Sequence, residues 1–197
     1  MTNGSNAGDQ ARKRKLLEAA IGVFARYGFR KTSMDEVARA AGVSRQGLYL
    51  YFATKEDLFR EGVQTMLNDS LEGATEALAK SDQSLEARLA GAFDAWTGKY
   101  VGVFGAGASD IAEASKELVG SMLSDYEERF IEAVTKAIRS SGLVAEYKGV
   151  GLSARQLADV LHATARGLKY LAASRQDFAE RFGVAARALC APLSGKP

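Results

Sequence analysis

The first proline in the sequence is Pro192 and the second is Pro197. Nothing before them breaks a helix by removing a backbone donor and clashing with the preceding turn. The 20 glycines must supply most of the punctuation. This points to an all-α chain. Its 197 residues suit one large or two small domains with a proper core. Hydrophobic residues at 47% and charged residues at 25% exclude a disordered chain.

Several functional classes fall to simple counting. No window of about 18 uninterrupted apolar residues exists, so a transmembrane helix is not expected. The opening MTNGSNAGDQARKRK is polar and then basic, with no apolar stretch for a signal peptide, so a cytoplasmic protein is expected. Cys190 and His162 are the single members of their types. An internal disulfide is therefore impossible, and the usual zinc sites lack ligands. Any histidine-dependent catalysis would rest on His162 alone. No cofactor, metal or catalytic residue is expected.

Charge is unevenly placed. Residues 1–60 hold 11 basic against 6 acidic side chains, and the remainder holds 15 against 18. A basic front on a mildly acidic body suits a polyanionic partner.

The periodicity reads as helix after helix. Residues 1–10 read as a disordered arm. From Arg12 the apolar stripe is Leu16, Leu17, Ala20, Val23, Phe24 and Tyr27, ended by Gly28. Ser33 and Glu36 form a capping box that opens a second helix ending at Gly42. Ser44 caps a third, from Arg45 to Phe52. Thr54 caps a fourth, which reaches toward Lys80 and has Glu56 and Asp57 in its first turn. Further helices are expected over 84–104, 110–119 and 122–141. A loop is expected near 140–151, then a helix opened by Ser153 and Gln156, and a last one capped by Asp177.

A glycine-rich stretch offers a decoy. Gly105 and Gly107 imitate the opening of a dinucleotide fingerprint. Asp110 stands where Gly or Ala is wanted, and its carboxylate would repel a pyrophosphate. No second strand candidate lies nearby.

The segment 33–52 carries the functional signal. Two short helices joined by Ala41-Gly42-Val43-Ser44 make a helix-turn-helix. The second helix of such a unit enters the major groove of double-stranded DNA by its N-terminal residues. Here those residues are Arg45, Gln46 and Gly47. Arginine suits guanine, glutamine suits adenine, and glycine lets the backbone approach closely. Thr32, Ser33, Ser44, Tyr49, Tyr51 and Lys55 are donors suited to phosphate oxygens. Tyr49 and Tyr51 also fit a core role, Tyr51 more readily, because Leu48 and Phe52 share the inward face.

One pattern runs through this region: Leu17-x-x-Ala20-x-x-x-Phe24-x-x-x-Gly28-Phe29-x-x-Thr32-Ser33-x-x-x-Val37-Ala38-x-x-Ala41-Gly42-Val43-Ser44-x-x-x-Leu48-Tyr49-x-Tyr51-Phe52-x-x-Lys55-Glu56-Asp57-Leu58. It resembles the DNA-binding domain of the tetracycline-repressor (TetR) family. The resemblance covers about residues 12–60 and departs from the family at Gly47, Leu50 and Ala53. It implies a helix-turn-helix domain over 11–60 and a helical ligand-binding and dimerisation domain over 61–197. It further implies a homodimeric repressor of a palindromic operator, released by a small-molecule effector.

The second half fits that implication. Phe93, Trp96, Tyr100 and Phe104 on one helix, with Tyr126 and Phe130 on another, are candidate pocket walls, or simply core. His162 and Arg166, one turn apart, are candidate partners for a polar ligand group. The last two helices are rich in small residues, among them Ala158, Ala163, Ala165, Gly167, Ala185, Ala186 and Ala188, and so suit a four-helix dimer interface. Two other readings remain at this stage. One is a DNA-binding regulator without a small-molecule ligand, and the other is a helical enzyme using His162.

Overall fold

The computed structural model describes residues 3–103 and 108–194. Among these, the ordered elements are helices and no strand occurs, so the chain is all-α as its proline distribution implies. The helices are α1 (Asn3–Tyr27), α2 (Met34–Ala40), α3 (Arg45–Tyr49), α4 (Lys55–Ala79), α5 (Leu85–Trp96), α6 (Ala108–Ser140), α7 (Leu143–Glu146), α8 (Ala154–Leu171) and α9 (Arg175–Ser194). No helix among the described residues is long and apolar enough to cross a membrane.

Contacts divide the chain into two compact units. The first comprises residues up to 68 together with 103–123, and the second comprises 69–102 and 124 onward. The first unit thus reaches beyond the 11–60 segment to take in the start of α6.

The first unit is built around aromatic rings. Phe24, Phe29 and Phe59 form a three-ring cluster with centroids 5.5, 5.6 and 5.0 Å apart. Leu16, Ala20, Val37, Leu48, Phe52 and Leu58 complete this buried core. The caps expected from sequence are present. The Glu36 N–H donates to the Ser33 hydroxyl at 3.3 Å, while the Ser33 N–H donates to the Glu36 carboxylate at 2.7 Å. The Gly47 N–H donates to Ser44 Oγ at 3.0 Å, and the Asp57 N–H to Thr54 Oγ1 at 3.0 Å. Gly42, at φ 68°, makes the sharp turn between α2 and α3 that an L side chain would strain.

Boundaries differ from the sequence reading at α1, α5 and α9, and α3 stops at Tyr49 rather than Phe52. Helix α1 begins at Asn3, where an arm over 1–10 was expected, and Asp9 on its second turn accepts a 2.5 Å hydrogen bond from the Tyr51 hydroxyl. Helix α5 stops at Trp96 rather than near Phe104. Its successor Gly98 lies against the Phe178 ring, where a Cβ would come within 2.9 Å of a ring carbon. The break expected between 119 and 122 is present: α6 is two helical stretches that meet at a kink at Val119 (φ −140°, ψ 17°), just before the Gly120-Ser121 pair. Helix α9 is capped by Ser174, not Asp177: the Asp177 N–H donates to the Ser174 hydroxyl at 3.1 Å. The decoy glycines Gly105 and Gly107, with Phe104, lie outside the described residues.

The second unit packs α5, the later part of α6, α8 and α9 around Phe93, Phe130, Phe178 and Phe182, all buried. Phe93 meets Phe130 edge-on at 5.0 Å and Phe182 at 4.5 Å, and Trp96 stacks on Phe130 at 4.6 Å. Ala158, Ala165 and Ala186 are buried in this same core. Their small size therefore serves packing inside one chain, not the symmetric interface expected of them.

Candidate nucleic-acid interface

Helix α3 is short, and its orientation follows from one residue. Leu48 is fully buried, so the side chains before and after it turn outward. Arg45 and Gln46 are exposed at its N-terminal end. The Arg45 guanidinium lies 3.2 Å from Asp35 of α2 and 5.5 Å from the centre of the Tyr49 ring. A hydrogen bond with Tyr49 and then the charge of Asp35 raise its pKa. A guanidinium held between a carboxylate and a ring is oriented before any ligand arrives. Gly47 carries no side chain, and a Cβ there would approach the capping Ser44 hydroxyl to 3.2 Å.

The expected phosphate donors divide into two groups. Tyr49 remains exposed beside Arg45. Ser33 and Ser44 are exposed at helix N-termini, with their hydroxyls accepting cap bonds. Tyr51 donates to Asp9, and that hydrogen bond raises the pKa of its phenol. Thr32 and Lys55 are turned inward. The buried Thr32 hydroxyl donates to the Gly28 carbonyl at 2.7 Å. Lys55 Nζ donates to the Phe29 and Thr32 carbonyls at 2.9 and 3.0 Å and sits 4.4 Å from the Phe29 ring centre. Both residues hold the α1–α2 turn together instead of facing outward.

Sequence reasoning missed the outer clasp on that turn. Asp110, in the first turn of α6, accepts the Arg30 N–H at 2.8 Å. The Arg30 guanidinium lies 2.7 Å from Glu113. Gly28 takes φ 91°, and a Cβ on it would fall 2.6 Å from the Asp110 carboxylate. Gly28→Ala should therefore cost about 1–3 kcal/mol from the left-handed backbone alone, with the Asp110 clash added. Chemical denaturation followed by circular dichroism measures it; an unchanged midpoint would mean that the turn is looser than described.

Of the residues proposed as pocket walls, Phe93, Trp96 and Phe130 form an aromatic cluster in the second unit. Phe93 and Phe130 are wholly buried against each other, Tyr126 is buried, and Arg129 lies over the Tyr126 ring at 4.7 Å. Tyr100 pairs with the Ser70 hydroxyl at 2.7 Å, and burial pushes its phenol up to about 12. His162 is buried with Nε2 3.3 Å from Glu127, and Arg166 reaches the same carboxylate oxygen at 3.3 Å. Burial lowers the imidazole pKa, and the neighbouring Glu127 opposes this. His162 and Arg166 thus converge on a carboxylate of their own chain.

A buried three-helix core presenting a short outward helix after a glycine turn defines a helix-turn-helix protein. The family profile of bacterial regulatory proteins, tetR family, matches residues 16–61. The transcriptional regulator YfiR of Bacillus subtilis is 43% identical over 75 residues, 38% of this chain and 33% of its own length. The Escherichia coli regulator RutR is 41% identical over 49 residues, 25% of this chain and 23% of its own. The likeness to these relatives thus spans a third of their length or less. Among solved structures, a TetR-like transcriptional regulator from Rhodococcus sp. RHA1 superposes with a TM-score of 0.63 at 25% identity, covering 94% of this chain and 97% of that one. The TetR-family regulator PfmR from Thermus thermophilus does so with a TM-score of 0.65 at 18% identity, covering 89% and 96%. Residues 16–61 thus match the DNA-binding domain of the tetR family of bacterial regulatory proteins, and the chain as a whole is similar in fold to TetR-family regulators.

Proposed function

We propose that the chain is a cytoplasmic, homodimeric, DNA-binding transcriptional repressor that leaves a palindromic operator when a small molecule binds its second unit. The observation that carries DNA binding is the α2–α3 pair. Arg45 and Gln46 project from the outward end of α3, and Asp35 and Tyr49 hold the arginine in place. Bidentate contacts from such residues discriminate bases by roughly 1–3 kcal/mol each. Ser33, Ser44 and Tyr49 flank them as phosphate partners, with Tyr51 engaging phosphate on release from Asp9.

Arg45→Ala should relax preference at one base pair per half-site, at about 1–3 kcal/mol on the best operator. Selection from randomised duplex DNA, run in parallel on wild type and variant, tests this. Identical motifs from the two proteins would remove Arg45 from base reading.

Dimerisation rests on an outward stripe of α8. Val160, Ala163, Gly167 and Tyr170 recur at helical spacing, all exposed, with Tyr170 at 85%. On α9, which packs beside α8, Val184 and Ala188 are exposed as well. A self-complementary apolar face on adjacent helices suits a two-fold partner. The same two-fold axis would place two recognition helices a helical turn of DNA, or a multiple, apart.

Release by an effector is supported by the aromatic cluster around Phe93, Trp96 and Phe130 and the His162–Glu127–Arg166 group beside it. An effector would act only through a difference in affinity between two states of the dimer. A regulator without a small-molecule effector is the second reading, favoured by the close packing of Phe93 on Phe130 and Phe182.

A further inference from the structure

Leu50 is 81% exposed, directly after the recognition helix. It is the C-cap residue of α3 with φ −66° and ψ −25°, so it continues the helical path. Its N–H donates to the Gln46 carbonyl at 3.2 Å, which fixes the two residues one turn apart on one line. That line lies opposite the buried Leu48 and Phe52. The outermost edge of the unit therefore presents an amide, then an isobutyl group, with the Tyr49 ring beside them. Local packing gives no reason for an aliphatic side chain here, since it covers nothing in its own unit.

We propose that Leu50 reads the C5-methyl group of a thymine in the operator. The inference rests on the DNA-binding reading above and adds a base identity to it. In the major groove, thymine alone of the four bases presents a methyl, and an aliphatic side chain is its natural contact. One helical turn advances about 6 Å along α3, close to two base-pair steps of about 3.4 Å. The thymine therefore lies about two steps from the base pair met by Gln46. Leu50 supplies an apolar contact that Arg45 and Gln46 cannot supply.

The test uses the full chain and the sequence recovered by selection from randomised duplex DNA. Each thymine of that sequence is replaced in turn by deoxyuridine, which removes the methyl and keeps base pairing. Affinities are measured for wild type, Leu50→Ala and Leu50→Asn, with circular dichroism confirming that both variants are folded. At one position per half-site, wild type should lose about four-fold in affinity, the factor carried by burial of a single methyl group. Both variants should bind thymine and deoxyuridine duplexes equally at that position. Any of three outcomes overturns the proposal: no thymine in the selected half-site, no deoxyuridine position that weakens wild type, or a methyl effect that persists in both variants. Failure of wild type to select any DNA would instead overturn the DNA-binding reading and this inference with it.

Discussion

Replacing Lys55 by alanine should destabilise the first unit by about 2–3 kcal/mol while leaving the salt dependence of DNA binding unchanged. The ammonium donates to the Phe29 and Thr32 carbonyls at 2.9 and 3.0 Å from a partly buried position. Hydrogen bonds to a charged group contribute about 1.5–3 kcal/mol net, and the cation over the Phe29 ring adds about 0.5–1 kcal/mol. Removing it leaves two carbonyls of the α1–α2 turn without their donor. Lys55→Met, which keeps the aliphatic stem, should recover little of the loss. Denaturant titration gives the stability, and binding at several salt concentrations gives the slope. A phosphate contact contributes about 0.9 to the slope of log K against log salt per charge neutralised. A Lys55→Ala protein of wild-type stability with a slope reduced by that amount would restore the outward role expected from sequence.

Gly167→Arg should yield a folded monomer, whereas Ala165→Arg should yield a protein that barely folds. The two positions sit two residues apart on α8 but face opposite ways: Gly167 is exposed, and Ala165 is fully buried. Arginine at 165 would put a charge into the hydrophobic core that Ala165 shares with Phe130 and Leu161, at a large desolvation cost. Arginine at 167 would set like charges across the proposed two-fold axis. A monomer binds one half-site at a time and loses the avidity of the pair, about 10²–10⁴-fold. Sedimentation at micromolar concentration reads the mass, and a binding assay on the same samples reads the affinity. A Gly167→Arg protein that remains dimeric and binds as wild type would move the interface elsewhere.

The helix order was legible because its signals are local. Ser33 with Glu36, Ser44, Thr54, and Ser153 with Gln156 each satisfy helix N-termini from within four residues. The outward end of α3 was legible for the same reason, since Leu48 alone decides which neighbours face out. What stayed hidden depends on distant partners. Lys55 has the composition of a surface donor, and only the folded turn brings the Phe29 carbonyl to it. Thr32 behaves likewise, taken inward by Gly28. The polar segment that reads as an arm is helical from Asn3, and its Asp9 meets Tyr51, a partner 42 residues away that local signals do not show. Alanine fits a core and a surface equally well, which is why Ala165 and Ala186 read as interface and proved to be core. Leu50 passed as a departure from a family pattern, because exposure is a property of the fold and not of the residue.

The close approach of Asp110 to Gly28 has an evolutionary consequence. Two positions far apart in the chain share one small volume, and a side chain at the first leaves no room for the carboxylate at the second. They cannot drift independently. A lineage that places asparagine at 28 must first shorten residue 110, and the Arg30 N–H must then find another acceptor. Alignments of close descendants should accordingly record 28, 30 and 110 as a covarying trio, and any chimera that joins the amino-terminal helices of one relative to the α6 of another should work only when the trio is inherited whole.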